Sequence, residues 1–186
     1  MIYCLIDFEA TCSNDSSIEK ENMEIIEFAA AIIDKDTLLP IKFFSKFVKP
    51  VLYPKLTRFC TDLTSITQID VDNADSFPEV FADFIDWLEP DKETIMMSWG
   101  AYDNKQLVSD LENHDMLGKY PFSQHINLKE NHRIARKLTR GLGMKSALAY
   151  ENLKMEGIHH RGIDDVKNIA KLVPIIFNLL KNKKNE

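Results

Sequence analysis

Cysteine is scarce in this chain. Three occur in 186 residues, Cys4, Cys12 and Cys60. The number is odd and no C-x-x-C pair occurs, so no disulfide framework is implied. A reducing, cytoplasmic setting is expected. The five histidines lack zinc-finger spacing, and no nucleophilic serine or cysteine motif with a partner histidine stands out. Long apolar runs are lacking too. None approaches the roughly 20 residues of a transmembrane helix. The N-terminus has no basic stretch ahead of an apolar one, so no signal peptide is expected. Positive charge is not in excess: 23 Lys and Arg face 29 Asp and Glu, a net charge of -6. That argues against a protein that coats nucleic acid generally, whereas a site rich in carboxylates would push the balance this way. Repeats, low-complexity tracts and interdomain linkers are also missing. Hydrophobic residues make up 45%, enough for one domain over residues 1–186 with its own core.

Residues 2–7 read as a short buried strand, 13–22 as a polar loop and 23–33 as a second strand. The turn "DKDTLLP" leads to a third strand, "IKFFSKFVKP", which closes a meander. Pro50 and Pro54 then interrupt regular structure. "SFPEVFADFIDWLEP" has a start signal at Ser76 and apolar residues at helical spacing. "TIMMSWG" is a fourth strand and "AYDNKQLVSDLENHDM" the helix after it. Residues 127–153 read as two helical pieces broken at "GLG". Residues 163–182 form a last long helix, kinked at Pro174, before a frayed "KNKKNE" tail. A meander followed by alternating helices and strands indicates a mixed α/β sheet with helices packed on it. Ligands of such sheets gather near the carboxyl ends of strands.

Asp7 and Glu9 follow the first apolar run, Asp103 follows the fourth strand, and Asp164 and Asp165 open the last helix. Singly, each reads as a turn residue, a surface residue or a complement to a helix dipole. Together they say more. "DFEAT" puts two carboxylates at i and i+2, the same side of a strand. Four oxygen donors suit hard divalent cations such as Mg²⁺ or Mn²⁺. Two such ions about 4 Å apart can clamp the attacking and leaving oxygens of a phosphodiester. A nearby histidine can deprotonate the attacking water.

With these residues in view, the sequence resembles the DnaQ-like, or DEDDh, 3′→5′ exonucleases. Their D-x-E-x-T motif appears as Asp7 to Thr11, their second-motif aspartate as Asp103 in "SWGAYDNKQL", and their H-x4-D motif as His160 to Asp165. Within that superfamily the chain is similar to the Eri-1-like 3′ exoribonucleases and to a bacterial sporulation-inhibitor-type branch, through "EIIEF", "FVKP", "FCTDLTSITQIDVDNADSFPEVF", "HINLKE" and "HHRGIDDVKNIA". The likeness runs from residue 2 to about 175. It implies an RNase H-like fold, with a central mixed sheet of about five strands and helices on both sides. It implies that Asp7, Glu9, Asp103 and Asp165 hold two metal ions and that His160 is the general base.

The implied substrate is a single-stranded nucleic-acid 3′ end, RNA first, released as nucleoside 5′-monophosphates. Thr11 and the backbone from Phe8 through Ala10 are placed to contact the terminal sugar if the family pose holds. Trp99, Tyr102 and Phe59 are candidates for base stacking, with core packing the competing reading for Trp99 and Phe59. Two basic groups could track a phosphate backbone: Lys129, Arg133, Arg136, Lys137, Arg140 and Lys145, and then Lys42, Lys46, Lys49, Lys55 and Arg58. A DNA exonuclease with the same site, and a regulatory protein acting by partner contact on this fold, remain as alternatives. His159 is expected to face away from the metals, because neighbours in an extended loop point in opposite directions.

Overall fold

A computed structural model of the chain describes residues 1–88 and 93–183. The ends of "SFPEVFADFIDWLEP" and of the "KNKKNE" tail lie outside the described residues. In chain order the elements are β1 (Ile2–Ala10), β2 (Ile25–Ile33), β3 (Pro40–Lys49), α1 (Arg58–Thr64), α2 (Gln68–Asp72), β4 (Asp75–Ser76), α3 (Phe77–Leu88), β5 (Thr94–Ser98), α4 (Tyr102–Asn113), β6 (Phe122–Asn127), α5 (Leu128–Ala135), α6 (Met144–Tyr150) and α7 (Gly162–Lys183). The sheet order is β4-β3-β2-β1-β5-β6. The meander is antiparallel, while β1–β5, β5–β6 and β3–β4 are parallel. This is the mixed sheet expected, with the two-residue β4 as an extra strand.

All nine residues of β2 are buried, as a continuous apolar run in a central strand should be. Alternation along β1 sends its side chains to two cores. Cys4, Ile6 and Phe8 pack with Phe28, Phe44, Phe81 and Phe84 and with Leu107 of α4. Leu5 packs on the other side with Ala29, Leu148, Val166 and Ile169. The sheet is therefore covered on both faces. Ser76 does start α3: its backbone N–H donates to Glu79 Oε2 at 2.9 Å.

Three details depart from the sequence reading. β1 continues past Asp7 to Ala10. α7 runs as read past Pro174, but it also takes in residues 181–183 of the tail expected to fray. α1, α2 and β6 join elements that the apolar pattern left unassigned.

Candidate active site

β1 outruns its neighbour. It pairs with β2 along its length, but with β5 only from Ile2 to Leu5. Beyond Leu5 the β5-side edge of β1 is open, and an unpaired backbone N–H there needs a partner. Gly100, at φ +124°, turns the chain from β5 into α4. Asp103 in the first turn of α4 then accepts the Phe8 N–H at 3.1 Å. Asp103 thus closes the strand edge and is carried to the site by it.

Asp7 and Glu9 share the Leu5 side of β1, which α7 covers. Asp165 projects from the first turn of α7. One oxygen each from Asp7, Glu9 and Asp165 lie within 4.8 Å of one another. Such an approach needs Gly162 at the helix start: a Cβ there would stand 3.0 Å from Ala29 Cβ and 3.1 Å from the Asp7 carbonyl oxygen.

Sequence reasoning gave Glu27 no role. It lies opposite Glu9 on β2 and is completely buried. Its carboxylate accepts the Gly162 N–H at 3.0 Å and the Ile163 N–H at 3.3 Å, and pairs with Arg161 Nε at 3.1 Å. Glu27 therefore anchors the N-terminus of α7, satisfying orphan helix donors and complementing the dipole. The signal was present, since a glutamate inside a continuous apolar run demands buried partners. Glu27→Ala is expected to cost about 3 kcal/mol of stability, because it strands Arg161 and two backbone donors. Chemical denaturation would measure it, and Glu27→Gln, which keeps an acceptor oxygen, should lose less.

The segment before α7 is tied just as firmly. Asn168 donates to the carbonyls of Glu156 and Asp164 and accepts the Glu156 N–H. Asp164 accepts the Ile158 N–H at 2.9 Å. His160 then sits at φ +64°, not in an extended conformation. Its N–H donates to Asp165 Oδ2 at 3.0 Å, and His159 Nδ1 lies 3.1 Å from the same oxygen. The left-handed turn overturns the expectation that His159 faces away. The two rings stack with centroids 3.9 Å apart, and both line the cleft.

The cleft, of about 340 Å³, is lined by Asp7, Glu9, Asp103, Asp165, the two histidines, Phe8, Trp99, Tyr102, Gly143 and Met144. It lies at the small end of the range for ligand pockets, which suits one nucleotide better than a duplex. Tyr102 is 45% exposed. Trp99 is half-buried and donates from Nε1 to the Leu142 carbonyl at 3.1 Å. Phe8 contributes backbone, since its ring packs on Phe28 at 4.5 Å. Ala10 and Thr11 do not line the cleft. Thr11 is buried, and its Oγ1 accepts the Glu24 N–H at 2.9 Å, so it secures the end of the β1–β2 pair. Phe59 lies on α1, outside the cleft.

Burial dominates the electrostatics. It pushes the Asp7 carboxyl well above the usual range, with Asp103, Glu9, Asp165 and Glu27 adding repulsion. Glu9 is pushed up to about 9 by burial and then by Asp165, Glu27 and Asp103. Asp103 is raised to about 6 by burial, against the Phe8 N–H that favours its charge. Burial raises Asp165 as well, partly offset by the His160 N–H and His159. No lysine or arginine lines the cleft, and Arg161 is turned to Glu27. A crowded set of oxygen donors without a side-chain cation fits a divalent metal ion.

Residues 4–173 match the family model described as Exonuclease (RNase T). Human 3'-5' exoribonuclease 1 is 33% identical over 177 residues, covering 91% of this chain and 50% of that protein. Human ERI1 exoribonuclease 3 is 32% identical over 178 residues, covering 92% of this chain and 52% of that protein. The chain thus spans about half the length of these curated relatives. Among solved structures, the nuclease domain of 3'hExo, a DEDDh family member bound to rAMP, superposes with a TM-score of 0.86 at 30% identity, covering 95% of this chain and 92% of that one. Cell-death related nuclease 4 gives a TM-score of 0.84 at 26% identity, covering 96% and 64%. The chain belongs to the DEDDh exonucleases, in their Eri-1-like branch.

Proposed function

We propose that this protein is a divalent-metal-dependent 3′→5′ exonuclease that removes nucleoside 5′-monophosphates from single-stranded RNA. The observation that carries the reading is the convergence of Asp7, Glu9 and Asp165, with Asp103 and two histidines, in one small cleft lined by no lysine or arginine. Asp7, Glu9, Asp103 and Asp165 would hold two Mg²⁺ or Mn²⁺ ions. Bound there, such ions stabilise the charge that builds on the attacking and leaving oxygens of a phosphodiester.

The chain's own residues supply the rest. His160 is the general base. Burial, then His159, holds its pKa below the ordinary histidine value of 6.5, so it is neutral and able to accept a proton at physiological pH. The water oxygen bonds to phosphorus and its proton passes to His160. The bond from phosphorus to the 3′ oxygen breaks, and that oxygen leaves with the shortened strand. Asp165 holds the histidine segment through the His160 N–H and His159. Tyr102 and Trp99 flank the terminal nucleoside. Base stacking on an aromatic ring is worth roughly 1–3 kcal/mol.

A 3′ end is required on this reading. Linear single-stranded RNA with a free 3′ hydroxyl should be shortened stepwise, and RNA ending in a 3′ phosphate should be degraded poorly. Circular RNA should survive, and cutting of the circle would identify an endonuclease instead. A parallel assay on single-stranded DNA decides between the RNA reading and a DNA exonuclease, through the site's response to the 2′ hydroxyl.

A further inference from the structure

Five carboxylates at or behind a cleft repel a polyanion, so the strand leading to the scissile bond needs a positively charged approach. Two surfaces adjoin the site. One passes Tyr102 into a groove lined by Lys20, Glu21, Met23 and Lys105. It continues along the 13–22 loop, where Asp15, Glu19 and Glu21 are exposed around Lys20. That side offers a phosphate backbone little net attraction.

The other surface begins at Gly143 and Met144, which form part of the cleft wall. They sit in the connection from α5 to α6 and at the start of α6. Between Arg136 and Tyr150 the sequence contains no acidic residue. Lys137, Arg140 and Lys145 are exposed there, and none of them makes an ion pair among the described residues. Their neighbours are different: Arg133 pairs with Glu130 and Arg136 with Glu151. Most of the second basic group, Lys55 apart, is engaged as well, with Lys42 donating to the Trp87 carbonyl. Lys46 pairs with Asp75 and Asp83, Arg58 with Asp62, and Lys49 donates to the Asp72 carbonyl. None of that group lines the cleft. A protein of net charge -6 thus carries three cations without an acidic partner among the described residues along the connection that leaves its acidic site, from Lys145 beside the cleft-wall residue Met144 back to Lys137, whose N–H shares the Ile134 carbonyl with Lys183 Nζ at the far end of α7.

We infer that the single strand upstream of the scissile nucleotide runs over the α5–α6 connection, with Lys137, Arg140 and Lys145 receiving its phosphates. The inference rests on the proposed exonuclease reading and gives the cleft a direction. The 3′ nucleotide enters past Gly143, and the 5′ portion trails along the basic rim. Contacts of this kind are independent of sequence and are screened by salt.

The test measures binding of fluorescein-labelled single-stranded RNA by anisotropy in chelator, across a salt series, without turnover. Each phosphate contact on a single strand contributes about 0.7 to the slope of log K against log salt. The triple variant Lys137→Gln/Arg140→Gln/Lys145→Gln should therefore lose about 2 from that slope, with at least about a 10-fold weaker affinity at low salt. In turnover, the loss should appear in KM and grow with strand length. Lys20→Gln/Lys105→Gln should keep the slope of the unaltered protein. An unchanged slope in the triple variant overturns the inference, as does a slope lost in the Lys20/Lys105 variant instead. RNA that binds through the rim but is never hydrolysed would refute the exonuclease reading and leave the basic rim standing.

Discussion

Asp7→Asn is expected to abolish RNA hydrolysis and leave the protein at least as stable as before. The substitution keeps the shape of the side chain and removes a charge from the centre of the cluster. Losing a metal-holding carboxylate removes several kcal/mol of transition-state stabilisation, roughly 10³-fold or more in rate. Stability should move the other way, because burial and four nearby carboxylates already disfavour the Asp7 charge. The pH dependence gives a second readout. Glu9 is pushed from 4.5 to about 9, so the native state holds protons that the unfolded chain has released. A raised carboxyl pKa means stability falls as pH rises through that window. In chelator, the melting temperature of the unaltered protein should therefore decline as pH rises from 4.5 to about 9, and Asp7→Asn should flatten the decline. Added divalent cation should restore stability at the alkaline end in the unaltered protein and much less in the variant. Hydrolysis by Asp7→Asn at the unaltered rate would remove Asp7 from the site.

The second large effect belongs to the histidine pair. His160→Ala should slow turnover by about 10²–10⁴-fold, the usual contribution of a positioned acid–base group. His159→Ala should cost less, but not nothing, because His159 Nδ1 lies 3.1 Å from Asp165 Oδ2. Its loss loosens the carboxylate without removing the base. A base must be neutral to act, and the His160 pKa is lowered by burial and by His159. The acid limb of the rate profile should therefore fall below pH 6.5 and disappear in His160→Ala. Metal affinity should survive His160→Ala if the proposed carboxylate ligands hold the ions, and a lost affinity would instead assign the ion to His159, His160 and Asp165, which also converge. Rate profiles and metal titrations of both single variants check this. A greater loss from His159→Ala would exchange their roles.

The acidic set was legible because its members lie on recognisable signals: a carboxylate pair at strand spacing and aspartates in first helical turns. Fold class followed from the meander and the alternating elements. What the sequence hid is mostly local geometry. β1 was cut short at Asp7, although Ile6, Phe8 and Ala10 carry the alternation onward and are all buried. β6 escaped because an edge strand reading "FSQHIN" has only one buried residue, Phe122. α1 and α2 are too short for apolar periodicity, and only their caps mark them, Thr57 and the Thr67–Asp70 capping box. The histidine stack depends on a left-handed His160, a backbone state uncommon outside glycine. The H-x4-D spacing paired His160 with Asp165, but not the turn by which the Asp165 carboxylate holds both histidines. Thr11 was assigned to substrate from its motif position, and the pattern did not show that its hydroxyl oxygen also accepts the Glu24 N–H.

The central claim is that this acidic cleft is a metal-dependent 3′→5′ exonuclease site. The most direct measurement incubates the protein with 5′-labelled single-stranded RNA, with Mg²⁺, with Mn²⁺ and with excess chelator, and reads the products over time. A descending ladder of labelled strands together with unlabelled nucleoside 5′-monophosphates is expected in the presence of either metal, and intact RNA in chelator. An undiminished ladder in chelator, or a labelled mononucleotide as the first product, would contradict it.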